Sequence, residues 1–289
     1  MLAICASAIG LLFPLAVGTA AVLLFGRRRP RPGPVGLLLH TLLEKKEPHF
    51  SYYSPDKFAA LLGTLVDDNR TFSTVSEAAR CGRDPDSGMP IVVTFDDGFE
   101  SFYSRALPLL SRHNIKVTVF PVAGFLGRAS TWDTLPPQAH LTKEQVREIA
   151  ALGHEIGSHT VSHANLTLLG DTDLAEELSR SKAILEDITG KPVSSLSFPF
   201  GQWNRRVWRM ALSLGYTAAT SYANCMRNEQ GVLRLWGIYS FDSVQDVWER
   251  ALRQPRWSNA VARGYVMPNF AKGTPMWKFR KNYALLRGT

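Results

Sequence analysis

"IVVTFDDGFESFY", residues 91–103, is the stretch on which the reading of this chain turns. Ile91 to Phe95 are β-branched or aromatic and read as a strand. The run stops on two adjacent carboxylates, Asp96 and Asp97, and Gly98 follows at once. Each carboxylate makes its neighbour costlier to ionise. Two such groups tolerate each other when a cation binds one of them, and Gly98 permits the turn that lets them face different ways.

Working outward, strands and helices alternate. "VGLLLH" (35–40), "KVTVFPV" (116–122), "HEIGSH" (154–159), "SSLSFPFG" (194–201), "YTAATSY" (216–222) and "LRLWGIYSF" (233–241) read as strands. Between them, "SPDKFAALLGTLVDD" (54–68) spaces Phe58, Leu61, Leu62 and Leu65 for one helical face. "SRALPLLSRHN" (104–114) reads as a helix despite Pro108. "TKEQVREIAALG" (142–153) has a Thr142 cap and a Gly153 stop. Helices are also predicted over 171–190, 204–215 and 243–255. Repeated strand–helix units predict an α/β fold with a parallel sheet, open or closed into a barrel.

In such folds ligands bind at the carboxyl ends of the strands, so polar residues ending strands are the candidates for chemistry. Asp96 and Asp97 end one strand, His159 another with His163 four residues on, His40 a third, and Pro199, Phe200 and Gly201 follow a fourth. A single such histidine or aspartate is commonly a cap; the coincidence across several strands is what points to a site. The His159–His163 spacing predicts two imidazoles on one side of a helical turn. Two histidines and one carboxylate suit a divalent metal with positions left open for water and substrate, and the remaining aspartate is then free to act as a general base.

"TFDDG", "SHTVSH" and "SFPFG" stand in the order of the first three motifs of the polysaccharide deacetylases, carbohydrate esterase family 4, which the chain resembles from about Pro34 onward. The resemblance implies a distorted (β/α) barrel, a divalent metal, zinc or another transition ion, and removal of acetyl groups from glycans. It makes Asp96 the catalytic base and Asp97, His159 and His163 the metal ligands. It makes Pro199, Phe200 and Gly201 the groove lining, with the Phe200 N–H at the oxyanion. Two features depart from the family pattern. Ser197 stands where an arginine usually orients the base, and no histidine follows His163. The permuted poly-N-acetylglucosamine deacetylases carry an early histidine motif instead, which "LLLHTLLE" resembles, so His40 becomes the general acid. Peptidoglycan, chitin oligomers or a lipid-linked acetamido sugar as the substrate, and a catalytically inactive glycan-binding protein, are the competing readings.

The chain has 289 residues and a formal net charge of +8. Residues 2–26 are apolar, uncharged and long enough to span a bilayer. No basic segment precedes them, which argues against a cleaved signal peptide. The reading is a transmembrane anchor at 1–26, a basic proline-rich linker at 27–34 and a catalytic domain at 35–289. Arg27, Arg28, Arg29 and Arg31, with nine Lys and Arg and no acid from Arg250 onward, exceed the whole net charge. This basic tail suits anionic lipid headgroups at the membrane; no recognition motif accompanies it, so nucleic acid is not expected as a partner. The arginines after the span favour a cytoplasmic domain, whereas an acetylated glycan polymer favours the extracytoplasmic side, which is the expectation adopted. Cys5, Cys81 and Cys225 form no CxxC pair, so neither a disulfide framework nor a zinc ribbon is expected.

Overall fold

Strands that all run one way must be joined by crossovers, and helices make those crossovers. In the computed structural model, which describes residues 35–44, 51–80, 90–130, 138–222 and 229–251, the chain does this repeatedly. The order is β1 Val35–Leu39, β2 Thr41–Leu42, β3 Tyr52–Tyr53, α1 Pro55–Asp67, β4 Phe72–Ser73, α2 Val75–Arg80, β5 Ile91–Phe95, α3 Leu107–Arg112 and β6 Thr118–Val119. Then come α4 Lys143–Ala151, β7 Glu155–Ile156, α5 Asp171–Thr189, β8 Ser195–Ser197, α6 Arg205–Ser213, β9 Ala218–Tyr222, β10 Val232–Gly237 and α7 Val244–Ala251.

The main sheet runs β7-β6-β5-β1-β10-β9-β8 with every pairing parallel, and β4 lies beside the start of β5. Its two outer strands meet: Ser158, just past β7, bridges Leu196 of β8. The Ser158 N–H donates to the Ser195 carbonyl, and the Ser197 N–H donates to the Ser158 carbonyl, both at 2.9 Å. The sheet therefore nearly closes into a barrel in which chain order and ring order coincide. All five residues of β1 and of β5 are buried, as central parallel strands covered on both faces must be.

The helices cover this barrel through the faces their sequences set out. In α1, Phe58, Leu61, Leu62 and Leu65 are the buried residues, and the Ser54 side chain caps the helix by accepting from the Lys57 N–H. The Phe58 ring meets Phe95 of β5 edge-on at 5.7 Å. Thr142 and Gln145 form a full capping box on α4, and Gly190 ends α5 in the left-handed region at φ 64°. α3 continues directly from a π-helix over Phe102–Ala106, so Pro108 lies inside one helical run. There it removes the bond that a residue 108 N–H would give to the Ser104 carbonyl, and the Leu107 N–H reaches back five residues to the Phe102 carbonyl.

Among the described residues no helix is long and apolar enough to cross a membrane. The predicted span at 1–26, the linker at 27–34 and the basic tail past residue 251 lie outside the described residues.

Candidate functional site

The carboxyl ends of the strands form one mouth. Leu39 pairs with Phe95 across β1 and β5, and the Asp96 N–H donates to the Leu39 carbonyl at 2.9 Å. That register sets His40 and Asp96 side by side on neighbouring strands. Past Asp96 the backbone turns sharply, with Asp97 at φ 67° and Gly98 at φ 69°. A Cβ on Gly98 would lie 2.6 Å from the Pro121 Cα, so only glycine fits there. This turn lets two adjacent aspartates face different partners.

Asp97 faces two imidazoles. Its Oδ1 lies 3.4 Å from His159 Nε2 and 3.3 Å from His163 Nε2, and the three ligand atoms lie within 4.8 Å of one another. His159 Nδ1 is 2.8 Å from the Ser197 carbonyl oxygen. A carbonyl only accepts, so Nδ1 carries the proton and Nε2 presents a lone pair toward Asp97. Neighbouring donors around a tetrahedral ion with bonds near 2.05 Å are separated by about 3.3–3.4 Å. The observed spacings and the N, N, O donor set therefore fit a small divalent transition ion.

Asp96 is held differently. The Ser197 hydroxyl donates to its Oδ2 at 2.7 Å, and its Oδ1 is buried with no hydrogen-bond partner. Ser197 thus orients the aspartate through its side chain and His159 through its carbonyl. It occupies the place where the sequence comparison expects an arginine.

The electrostatics separate the two acids. Burial pushes the Asp96 carboxyl up, only partly countered by His159, His40 and the Ser197 bond. For Asp97 burial also pushes up, but the His159 hydrogen bond and the neighbouring His163 and His40 imidazoles outweigh it and hold the group well below the carboxylate range. Burial drives His163 down to about 3 despite Asp97. His159 is raised, because Asp96 and Asp97 overcome its burial. His40 belongs to the same cluster, and its Nδ1 is buried with no hydrogen-bond partner.

The segment carrying the two histidines corrects one expectation. Residues 157–164 are not a helical turn: β7 ends at Ile156, and Thr160 and His163 stand at φ 69° and 58°. A four-residue spacing brings the imidazoles together here because a left-handed loop folds back on itself, with the His163 N–H donating to the Thr160 hydroxyl at 3.0 Å.

Pro199, Phe200 and Gly201 form a 3-10 turn after β8, with Phe200 at φ 58°. The Phe200 ring meets His163 edge-on at 4.5 Å, which puts the turn against the Asp97–His159–His163 cluster. A Cβ on Gly201 would lie 2.2 Å from the Tyr222 ring.

Three neighbours of the site escaped the sequence reading. His140 Nδ1 lies 3.0 Å from the Asp97 carbonyl oxygen. Tyr222 ends β9 in the field of both aspartates; burial first, then Tyr239 and the two carboxylates, keep its hydroxyl un-ionised. Glu177 of α5 is buried beneath the histidine loop. A signal existed only for Glu177, a charged residue on the stripe of α5 that also carries the buried Leu174, Leu178, Leu185 and Ile188.

Residues 83–219 match the family model described as polysaccharide deacetylase. YxkH of Bacillus subtilis is 29% identical over 146 residues, which cover 50% of this chain and 49% of that protein. The peptidoglycan-N-acetylglucosamine deacetylase of Bacillus cereus is 29% identical over 132 residues, 45% of this chain and 43% of that one. The chain thus spans about half the length of these curated relatives. The structure of IcaB from Ammonifex degensii superposes with a TM-score of 0.65 at 25% identity, over 76% of this chain and 97% of that one.

Proposed function

We propose that this chain, which carries a polysaccharide deacetylase domain, is a metal-dependent hydrolase that removes N-acetyl groups from a GlcNAc-containing polysaccharide. The observation that carries this reading is geometric: Asp97 Oδ1 faces His159 Nε2 and His163 Nε2 at 3.4 and 3.3 Å, while the adjacent Asp96 is held by the Ser197 hydroxyl at 2.7 Å, and their surroundings move the two carboxyls in opposite directions. Environments that push two neighbouring acids in opposite directions assign them different tasks.

Asp97, His159 and His163 would hold the ion, zinc or a similar transition metal, which would supply Lewis acidity toward a carbonyl oxygen and acidify water. Asp96, fixed by Ser197, takes the proton from the attacking water. His40, beside Asp96 on the next strand, gives a proton to the departing nitrogen, so that acetate and a glucosamine unit leave. The Phe200 N–H, presented by its left-handed turn, donates to the oxyanion of the tetrahedral intermediate. Pro199 and Gly201 shape the groove around it.

Poly-N-acetylglucosamine is the favoured polymer, because the chain shares with those deacetylases an early histidine, His40, and has no histidine after His163. A peptidoglycan substrate is the second reading, favoured by the Bacillus cereus relative of that name. A polymer of either kind places the domain outside the cytoplasm, held at the membrane by residues 1–26. Protease treatment of intact cells digests an exported domain and spares a cytoplasmic one.

The deciding experiment is acetate release by the full chain from poly-N-acetylglucosamine, chitin oligomers and peptidoglycan in parallel, with and without a chelator. Chelator-sensitive release that is fastest on poly-N-acetylglucosamine is expected. Release from none of the three by protein loaded with metal would falsify the hydrolase reading.

A further inference from the structure

The loop that carries His163 is strained. Thr160 is β-branched and stands in the left-handed region at φ 69°, where such residues rarely go; His163, of a type that tolerates the region better, follows at φ 58°. The Thr160 conformation costs on the order of 1–3 kcal/mol and persists only where the surroundings over-determine it. Something must hold residues 160–163 in place, and it lies on α5.

Glu177 is 1% exposed. Its Oε2 accepts from the Val161 N–H at 2.9 Å and from the Ser162 N–H at 3.0 Å, and its Oε1 accepts from the Ser162 hydroxyl at 2.6 Å. The Thr160 oxygen accepts the His163 N–H. One carboxylate therefore gathers the donors of Val161 and Ser162, the two residues inside the turn that Thr160 and His163 close. The opposite edge of the loop is tied by the Ala123 and Gly124 N–H groups, which donate to the Thr160 and Val161 carbonyls at 3.0 and 2.9 Å. One turn further along α5, the Ser181 hydroxyl lies 2.7 Å from the Ser158 hydroxyl, which accepts the Thr160 N–H.

We infer that Glu177 is a positioning residue of the Asp97–His159–His163 cluster: its carboxylate fixes the left-handed turn at 160–163 that aims His163 Nε2 at Asp97. This role rests on the metal reading proposed above and extends it beyond the ligands, to a charged side chain that touches neither ligand imidazole. The carboxylate accepts with charge on both oxygens; a glutamine keeps one accepting oxygen for the two N–H groups and turns its NH2 to the Ser162 hydroxyl, which must reverse, so the charge-assisted hold on the loop weakens.

The test is Co²⁺ titration of the full chain under chelator competition, with the visible spectrum of the bound ion as a second readout and thermal unfolding of the apo protein as a third. Glu177→Gln is expected to weaken Co²⁺ binding 10- to 100-fold, the usual penalty for losing an outer partner of a metal ligand, and to change the spectrum. Glu155→Gln, at the opposite end of the barrel, is the comparison: it lowers the unfolding temperature and leaves Co²⁺ affinity within about twofold of wild type. Should Glu177→Gln fail to fold, Ser162→Ala removes the hydroxyl that donates to Glu177 Oε1 and is expected to weaken binding several-fold. Affinity and spectrum unchanged in a folded Glu177→Gln, or in Ser162→Ala, overturn the role of Glu177. A wild-type chain that takes up no Co²⁺ overturns the metal reading and this inference together, whereas equal binding by wild type and Glu177→Gln overturns this inference alone.

Discussion

At the base of the barrel Glu155 of β7 meets Ser76 and Thr118; at the mouth Asp97 meets two imidazoles. Both acids sit at strand ends, yet only one is satisfied. The Glu155 oxygens accept from the Ser76 hydroxyl, from the Ser76 N–H at 3.1 Å and from the Thr118 hydroxyl at 2.8 Å. Asp97 Oδ1 has no hydrogen-bond partner and faces two ring nitrogens at 3.3 and 3.4 Å. A buried polar group without a partner is costly, and proteins keep such groups mainly where function needs them. The base network fastens α2 to the barrel, whereas the mouth holds its lone pairs open for a cation.

The contrast breaks first at Asp97. Asp97→Ala is expected to abolish stoichiometric metal binding and acetate release together, while costing the chelator-treated protein less stability than an equivalent change at Glu155. Metal analysis and thermal unfolding of the same samples check this, and a variant that still holds one equivalent of metal removes Asp97 from the ligand set. Next in size is Asp96→Asn. It should keep the metal and lose roughly 10²–10⁴-fold in kcat, as for a general base; loss of metal instead would merge the two aspartates into one role.

Glu155→Ala tests the other end. It leaves three donors without their acceptor and should destabilise the fold by about 3 kcal/mol, read by denaturant unfolding, with metal affinity unaltered. A large loss of affinity would show that the two ends are coupled and that the division drawn here is too sharp. The smallest effect is expected at Ser197→Ala. Asp96 then loses one hydrogen bond of 2.7 Å, and a tenfold fall in kcat corresponds to about 1.4 kcal/mol. The His159 contact survives because the backbone carbonyl of residue 197 makes it, so metal affinity should not move.

Much of the molecule was legible in the sequence, for local reasons. The caps at Ser54, Thr142 and Gly190 act within one turn of their helices, and the apolar spacing of α1 follows from 3.6 residues per turn. Strand ends marked by Asp96, His159 and His40 were readable because a parallel barrel sends every carboxyl end to one side. The predicted helical turn at His159–His163 failed because a four-residue spacing suits a helix and a folded-back loop alike. Periodicity cannot register hydrogen bonds that arrive from Glu177, fourteen residues beyond His163, or from the turn at Ala123 and Gly124. Likewise Ser197 reads in the sequence as the lack of an arginine, and only the approach of β8 to β5 makes it a donor to Asp96.

The sequence by itself determined the order of the seven main-sheet strands and of the helices at 55–67, 107–112, 143–151, 171–189, 205–213 and 244–251, the two adjacent aspartates, the paired histidines and the early His40; it gave no sign of the short strands β2, β3 and β4 or of α2. What it determined depends on side-chain chemistry and on contacts a few residues apart. Tertiary structure alone decided how the two aspartates come to face different partners, which is raised by burial, and what holds Thr160 and His163 in the left-handed region. Those outcomes depend on strand register, on the Gly98 turn against Pro121, and on a carboxylate delivered from a distant helix. A chain fixes such distances and dielectric surroundings only once it has closed on itself.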